Sequence, residues 1–129
     1  PFALHGHRNR RWTKRDAFVA LDCDARTYWN AEACNAAMQV YRAGPESRAF
    51  VDRWLNACTT ARIVTEEPNT LGRPNFKEFR EHRFDQSLFS LLCEKDGLER
   101  FRDPSQWGER FPRANSAYGT LLRHHRRRS

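Results

Sequence analysis

Several familiar signatures are absent from this chain. There is no glycine-rich phosphate loop of either common pattern and no GxSxG elbow, which removes P-loop enzymes, dinucleotide-binding fingerprints and α/β-hydrolases. The four cysteines, Cys23, Cys34, Cys58 and Cys93, stand 11, 24 and 35 residues apart. No CxxC or Cys/His zinc spacing arises from them. No apolar run approaches the about 18 residues that a transmembrane helix needs, and the start of the chain carries no signal-peptide pattern. Internal repeats, low-complexity tracts, zinc knuckles and RNA-binding motifs are missing too. Aromatic residues do not interleave with basic ones at regular spacing, which argues against nucleic acid as a partner.

What is present suffices for one domain or part of one. Of 129 residues, 39% are hydrophobic, with nine Phe and four Trp, enough to build a core and to exclude wholesale disorder. The low mean hydropathy, −0.90, comes from charge rather than from missing apolar residues. The net charge of +7 is unevenly placed. Arg8, Arg10, Arg11, Lys14 and Arg15 form one basic cluster, and Arg123, Arg126, Arg127 and Arg128 another. Residues 16–113 hold 14 Lys or Arg against all 16 Asp or Glu, a balance near −2. The chain therefore divides into a basic leading segment (1–15), a mildly acidic body (16–113) and a basic C-terminal tail (114–129). Basic ends attract RNA, anionic lipid or phosphorylated substrates alike, so sign alone selects no partner. The chain begins Pro1-Phe2, which reads as a processed product or an excerpt of a longer protein.

Along the chain, residues 1–15 read as irregular. Ala17–Leu21 is a short apolar run whose length suits a buried strand. A short helix is expected over Thr27–Ala33, and Ala37–Arg42 alternates weakly before Gly44-Pro45, suggesting a second strand and a turn. Ser47 reads as an N-cap for a helix carrying Phe50, Val51, Trp54, Leu55 and Cys58 on one stripe. Residues 65–76, TEEPNTLGRPNF, form a loop of a length that is often functional. The next helix buries Leu88, Leu91 and Leu92 and stops at Gly97. Cys58 and Cys93 fall on apolar helix faces, which favours buried thiols; a secreted disulfide pairing is the alternative. The compartment, cytoplasm or Golgi/secretory lumen, stays open. Strands alternating with helices predict an α/β arrangement. Two or three short strands are few for an independent sheet, so a fragment completed by other residues is expected.

Three stretches can carry chemistry. Asp22-Cys23-Asp24 is either a carboxylate pair for a divalent metal or an ordinary acidic turn. In HRFDQSLFSLL, residues 82–92, Asp85 can cap the following helix and Arg83 can pair with Glu81 or Asp85. The same crowd of His82, Arg83, Asp85 and Gln86 can instead hold sugar hydroxyls or diphosphate oxygens, with Arg83 as a donor fork and Asp85 as acceptor or base. Trp12-Thr13-Lys14-Arg15-Asp16 offers an aromatic platform beside two cations, or an exposed basic segment tied to its own Asp16.

Together, RRWTKRDAFVALDCD, MQVYRAGPESRAFVDRWLNAC and TEEPNTLGRPNFKEFREHRFDQSLFSLLCEKDGLERFRDPSQWG resemble, in order and spacing, the C-terminal part of glycosyltransferase-like proteins of the GT-A, nucleotide-sugar type. The resemblance spans about residues 12–108 and rests on a WTKRD-like segment, an SxxFVxxWL-like helix, an HRHDQS-like block and an FRDPSQ-like turn. It implies a partial GT-A, Rossmann-like α/β domain with short strands packed by helices. The implied reaction is glycosyl transfer from a nucleotide sugar to a glycan or other acceptor hydroxyl. It also implies catalytic roles for Asp85 and His82 and substrate binding by Trp12, Lys14, Arg15, Arg83 and Gln86. A divalent metal, Mn or Mg, is implied for the full-length enzyme and is assigned to no residue here, because the family's metal motif precedes the WTKRD-like segment whereas Asp22 and Asp24 follow it. Phe84 stands where a second His is common in the family. The donor site is then expected largely in a preceding portion of the same protein, leaving the isolated chain inactive. The competing expectation is a non-catalytic basic module that binds nucleic acid or another polyanion. A structural remnant that folds only with a partner is a third.

Overall fold

The computed structural model describes residues 1–123 and residue 125. Its elements run β1 (Phe2–Arg8), α1 (Asn9–Trp12), α2 (Arg15–Ala20), α3 (Arg26–Asn30), β2 (Glu32–Asn35), α4 (Pro45–Cys58), α5 (Ala61–Val64) and α6 (Phe84–Lys95), followed by a 3-10 turn at Gln106–Arg110. This is a mixed α/β unit. Among the described residues its one sheet has two antiparallel strands, with Phe2 opposite Asn35, Ala3 opposite Cys34 and Arg8 opposite Glu32. The pairing is irregular between Ala3 and Arg8. Gly6 lies in that interval with φ 75°, the left-handed backbone that a bulge requires and glycine supplies. On β1's other side, Ala3 N donates to Phe101 O and Phe101 N to Pro1 O, both at 2.9 Å.

Helix α6 organises the core. Every residue from Ser87 to Cys93 is buried. One side packs with Ala17, Phe18, Ala57 and Ile63 through Leu88 and Leu91, and the other with Cys34 and Phe50 through Phe89, Leu92 and Cys93. The two serines in this buried run are satisfied, as buried hydroxyls must be. Ser87 accepts from Arg83 N (3.0 Å) and donates to Trp12 O (2.5 Å). Ser90 accepts from Cys34 N (2.9 Å) and donates to Gln86 O (2.8 Å). They bolt α6 to α1 on one flank and to β2 on the other. Gly97, with φ 62°, ends this segment as expected.

Several local expectations are corrected. Ala17–Leu21 is not a strand: its residues through Ala20 belong to α2, whose N-terminal amides are capped by loop side chains described below. A five-residue apolar run carries no periodicity that separates strand from short helix. The strands are instead β1, in the segment read as irregular, and β2, where the end of a helix was expected. Ala37–Arg42 forms no strand, because no neighbouring strand pairs with it, and Val40 is exposed. Helix α3 stops at Asn30. Helix α4 starts at Pro45, a residue whose fixed φ suits a first turn, with Gly44 rather than Ser47 in the capping position. The Ser47 hydroxyl donates to Arg42 O at 2.5 Å. On α4, Phe50 is buried and Trp54 half-buried, whereas Val51 and Leu55 face solvent. Asp85 does not cap α6; Arg83 occupies that position. All four cysteines are free thiols, three of them buried and Cys58 half-buried. In the tail, residues 116–122 fold back on the 101–105 segment: Ser116 Oγ accepts from Arg102 N at 2.8 Å and Leu121 N donates to Pro104 O at 2.8 Å. Of the second basic cluster, Arg126, Arg127 and Arg128 lie outside the described residues.

Candidate functional site

The WTKRD and HRFDQ segments run side by side. Arg80 N donates to Arg11 O at 2.9 Å and Arg83 N to Trp12 O at 3.1 Å. From this seam some side chains enter a polar knot (Lys14, His82) and others line a cavity (Trp12, Arg83).

The knot lies on the side of α2. The buried Lys14 ammonium donates to Arg62 O (2.7 Å) and Glu67 O (2.5 Å). Lys14 N donates to His82 Nδ1 at 3.2 Å, and His82 Nε2 lies 2.8 Å from Ile63 O, so the neutral ring with its proton on Nε2 satisfies both contacts. Burial is the main reason that the His82 pKa is pushed down to about 4; the Lys14 charge adds to the effect, against the opposing hydrogen bonds of Ile63 and Val64. Asp16, wholly buried, accepts from Thr70 N (2.7 Å), Thr70 Oγ1 (3.3 Å) and Leu71 N (3.1 Å). In return, Asn69 and Asn75 accept from Asp16 N (3.0 Å) and Arg15 N (2.7 Å). The Asn-rich loop thereby caps α2 from a distance, satisfying amides that a helix start leaves open. Arg15 forks onto Asp24 at 2.8 and 3.2 Å and lies 4.2 Å from the centroid of the Phe76 ring.

The cavity, of about 530 Å³, opens between β1, the start of α6 and the 101–113 segment. Trp12, Arg83 and Gln86 line it, so three of the seven expected site residues meet there. The Arg83 guanidinium lies 4.6 Å from the centroid of the Trp12 ring and its Nε is 2.6 Å from Glu81 Oε1. At Phe84 the backbone takes φ 48°, which a bulky side chain disfavours. This bend lies between the inward-facing His82 and the cavity-facing Gln86. Lys14, Arg15 and His82 do not line the cavity. Asp85 is exposed in the first turn of α6 and also stands outside the lining; its carbonyl accepts from Trp54 Nε1 at 3.0 Å.

The far wall comes from residues whose role was not read from the sequence: Asn35, Arg102, Asp103, Trp107 and Arg113. Asp103 accepts from Asn35 Nδ2 (2.9 Å), Ser105 N (2.8 Å) and Ser105 Oγ (2.5 Å). Arg113 pairs with Glu32, and His5 stacks on Phe111 at 4.2 Å. Gly108 closes the turn, because a Cβ there would meet Asp103 O at 1.9 Å. The sequence signal for this wall was the FRDPSQWG turn itself, where an Arg-Asp pair precedes Pro between aromatic residues.

Asp22 and Asp24 do not come together as a divalent-metal site. Both Asp24 oxygens already accept from Arg15, and Oδ1 also from Trp29 Nε1. The Asp22 side chain is fully exposed, 3.8 Å from Lys95 Nζ. Among the described residues no three His, Cys, Asp or Glu gather as a metal site. Nor is any described helix long and apolar enough to cross a membrane. Compared with known protein families, curated proteins and solved structures, the chain matches none.

Proposed function

We propose that this chain is the later part of a GT-A-type glycosyltransferase and that the cavity is the sugar-binding pocket of its transfer site. The observation that carries the reading is the convergence on one cavity of an aromatic platform, a guanidinium and a carboxamide: Trp12, Arg83 and Gln86. A volume of about 530 Å³ falls within the roughly 300–1,000 Å³ range of small-molecule sites. In this reading the Trp12 face stacks on the C–H face of a sugar ring, Gln86 hydrogen-bonds hydroxyls, and Arg83 stabilises negative charge on the leaving phosphate side. His82 positions the seam and takes no proton from substrate, since both of its ring nitrogens are engaged and its burial holds it neutral. The strands that bind the nucleotide, and any metal with them, belong in this reading to other segments of the same protein.

The test is a titration of intrinsic tryptophan fluorescence with uridine and guanosine diphosphate sugars and with free monosaccharides, in the wild type and in Trp12→Ala. A saturable change that the substitution abolishes supports the reading. A folded protein that responds to none of these ligands counts against it. Polyanion binding with a steep loss on added salt would put a basic binding module in its place.

A further inference from the structure

Three arginines line the cavity, and two of them have carboxylate partners: Arg83 with Glu81 and Arg113 with Glu32. Arg102 has none among the described residues. It is only 8% exposed, and its Nε and Nη2 are buried without a hydrogen-bond acceptor among the described residues, where Arg10, Arg11, Arg83 and Arg100 each leave a single such nitrogen. Its nearest carboxylate in sequence, Asp103, already accepts from Asn35 and Ser105. The backbone of Arg102 is fixed from both sides, its N–H donating to Ser116 Oγ at 2.8 Å and its carbonyl accepting from the Tyr118 hydroxyl. The guanidinium lies 5.0 Å from the Tyr118 ring centroid. That contact stabilises a cation but accepts no hydrogen bond. A guanidinium does not escape burial by losing its proton, and buried donors without acceptors are rare in folded proteins because they are costly. A charge held this way beside an open cavity lacks one component, an oxygen acceptor of negative charge.

We infer that Arg102 is the anchor for an oxyanion carried by the ligand of this cavity, a carboxylate or a phosphate ester, and that the sugar bound there is an acidic one. The oxyanion part stands on Arg102 alone; the sugar part rests on the transferase reading above. A planar guanidinium in the lining offers paired N–H donors that match two oxygens of such a group. The Trp12 platform, on the same cavity, takes the ring that carries it. A neutral hexose leaves the charge unanswered, so the site discriminates by the acid and not by the ring.

The experiment compares glucuronate, glucose 6-phosphate, glucose and inorganic phosphate by calorimetric titration at fixed ionic strength, with the wild type, Arg102→Met and Arg102→Lys. The wild type binds glucuronate or glucose 6-phosphate at least about tenfold more tightly than glucose, as expected for charge-assisted hydrogen bonds to a buried fork. Arg102→Met loses that preference while keeping its weak glucose affinity; Arg102→Lys recovers part of it as a point charge. The two acids distinguish a carboxylate from a phosphate source. If Arg102→Met fails to fold, the wild-type preference and the partial rescue by Lys carry the test. Equal affinity for glucose and both acids overturns the inference, even if Trp12 proves essential, and so does a preference unchanged in Arg102→Met. Arg102-dependent binding of inorganic phosphate with no binding of any sugar keeps the anion site and overturns the sugar reading.

Discussion

The knot around Lys14, Asp16 and His82 and the cavity around Trp12, Arg83 and Arg102 are built from adjacent residues, yet they differ in one respect. In the knot, the side-chain polar groups of Lys14, Asp16 and His82 meet partners from the protein itself. At the cavity, Trp12 Nε1, Arg83 Nε and two nitrogens of Arg102 form no hydrogen bond among the described residues, although Arg83 keeps its ion pair with Glu81. Polar clusters look alike in sequence whether they hold a loop or wait for a ligand. Hydrogen-bond partners help to tell the two apart, because a satisfied buried group contributes to stability and an unsatisfied one costs it, although Asn9 Oδ1 and Thr13 Oγ1 are also unpartnered away from the cavity.

The contrast can be broken first at the knot. Asp16→Ala leaves the amides of Thr70 and Leu71 without acceptors, and the expected loss is about 4 kcal/mol, read as a lower urea midpoint together with faster proteolysis in residues 65–76. Sugar binding, measured where the variant is still folded, changes less than stability does. An unchanged midpoint would mean that the knot does not hold the loop.

Next in size is the pH dependence of His82. Its folded pKa of about 4 lies below the ordinary value of 6.5. As pH falls through 6.5 the unfolded chain takes up a proton that the folded chain refuses until about pH 4, so stability declines with acidification across that window. The expected loss from this residue between pH 7 and pH 4 is about 3 kcal/mol. Urea unfolding at a series of pH values, in the wild type and in His82→Gln, checks it: the slope should flatten in the variant.

At the cavity the expected effects fall on function. Trp12→Ala and Arg83→Ala each lower ligand affinity or transfer by about tenfold, equivalent to about 1.4 kcal/mol. Asp85→Ala, outside the lining, changes either by less than about twofold. A large effect at Asp85 with none at Trp12 would move the site to the exposed start of α6. The smallest effect concerns the thiols. Cys58 is half-buried, and Cys23, Cys34 and Cys93 are buried, with burial pushing the Cys23 pKa up to about 11. A thiol reagent should therefore label Cys58 first in the native state, and the other three only as the chain opens.

The same contrast explains what could be read from the sequence. Helix α6 was legible because Leu88, Leu91 and Leu92 keep helical spacing and Gly97 supplies the left-handed stop. β1 was not: FALHGHR contains no β-branched residue, and it becomes a strand only by pairing with β2, more than twenty residues away. α2 was misread because Asn69 and Asn75, which cap it, come from the distant loop. Trp12, Arg83 and Gln86 were found because they stand next to one another in two compact motifs. Their neighbours Lys14 and His82 were grouped with them, since sequence shows adjacency but not which side chain turns to the knot and which to the cavity. Arg102 was overlooked because its importance lies in a missing partner, and only packing reveals that.

The most direct test follows the four tryptophans by the indole N–H signals in a nitrogen-15 NMR spectrum during titration with nucleotide sugars and with glucuronate. Trp12 and Trp107 line the cavity, whereas Trp29 and Trp54 pack against the hydrophobic core. The account predicts that the Trp12 and Trp107 signals move together and saturably while those of Trp29 and Trp54 stay in place. Movement confined to Trp29 and Trp54, or no movement of any indole at saturating ligand, would contradict a sugar site in this cavity.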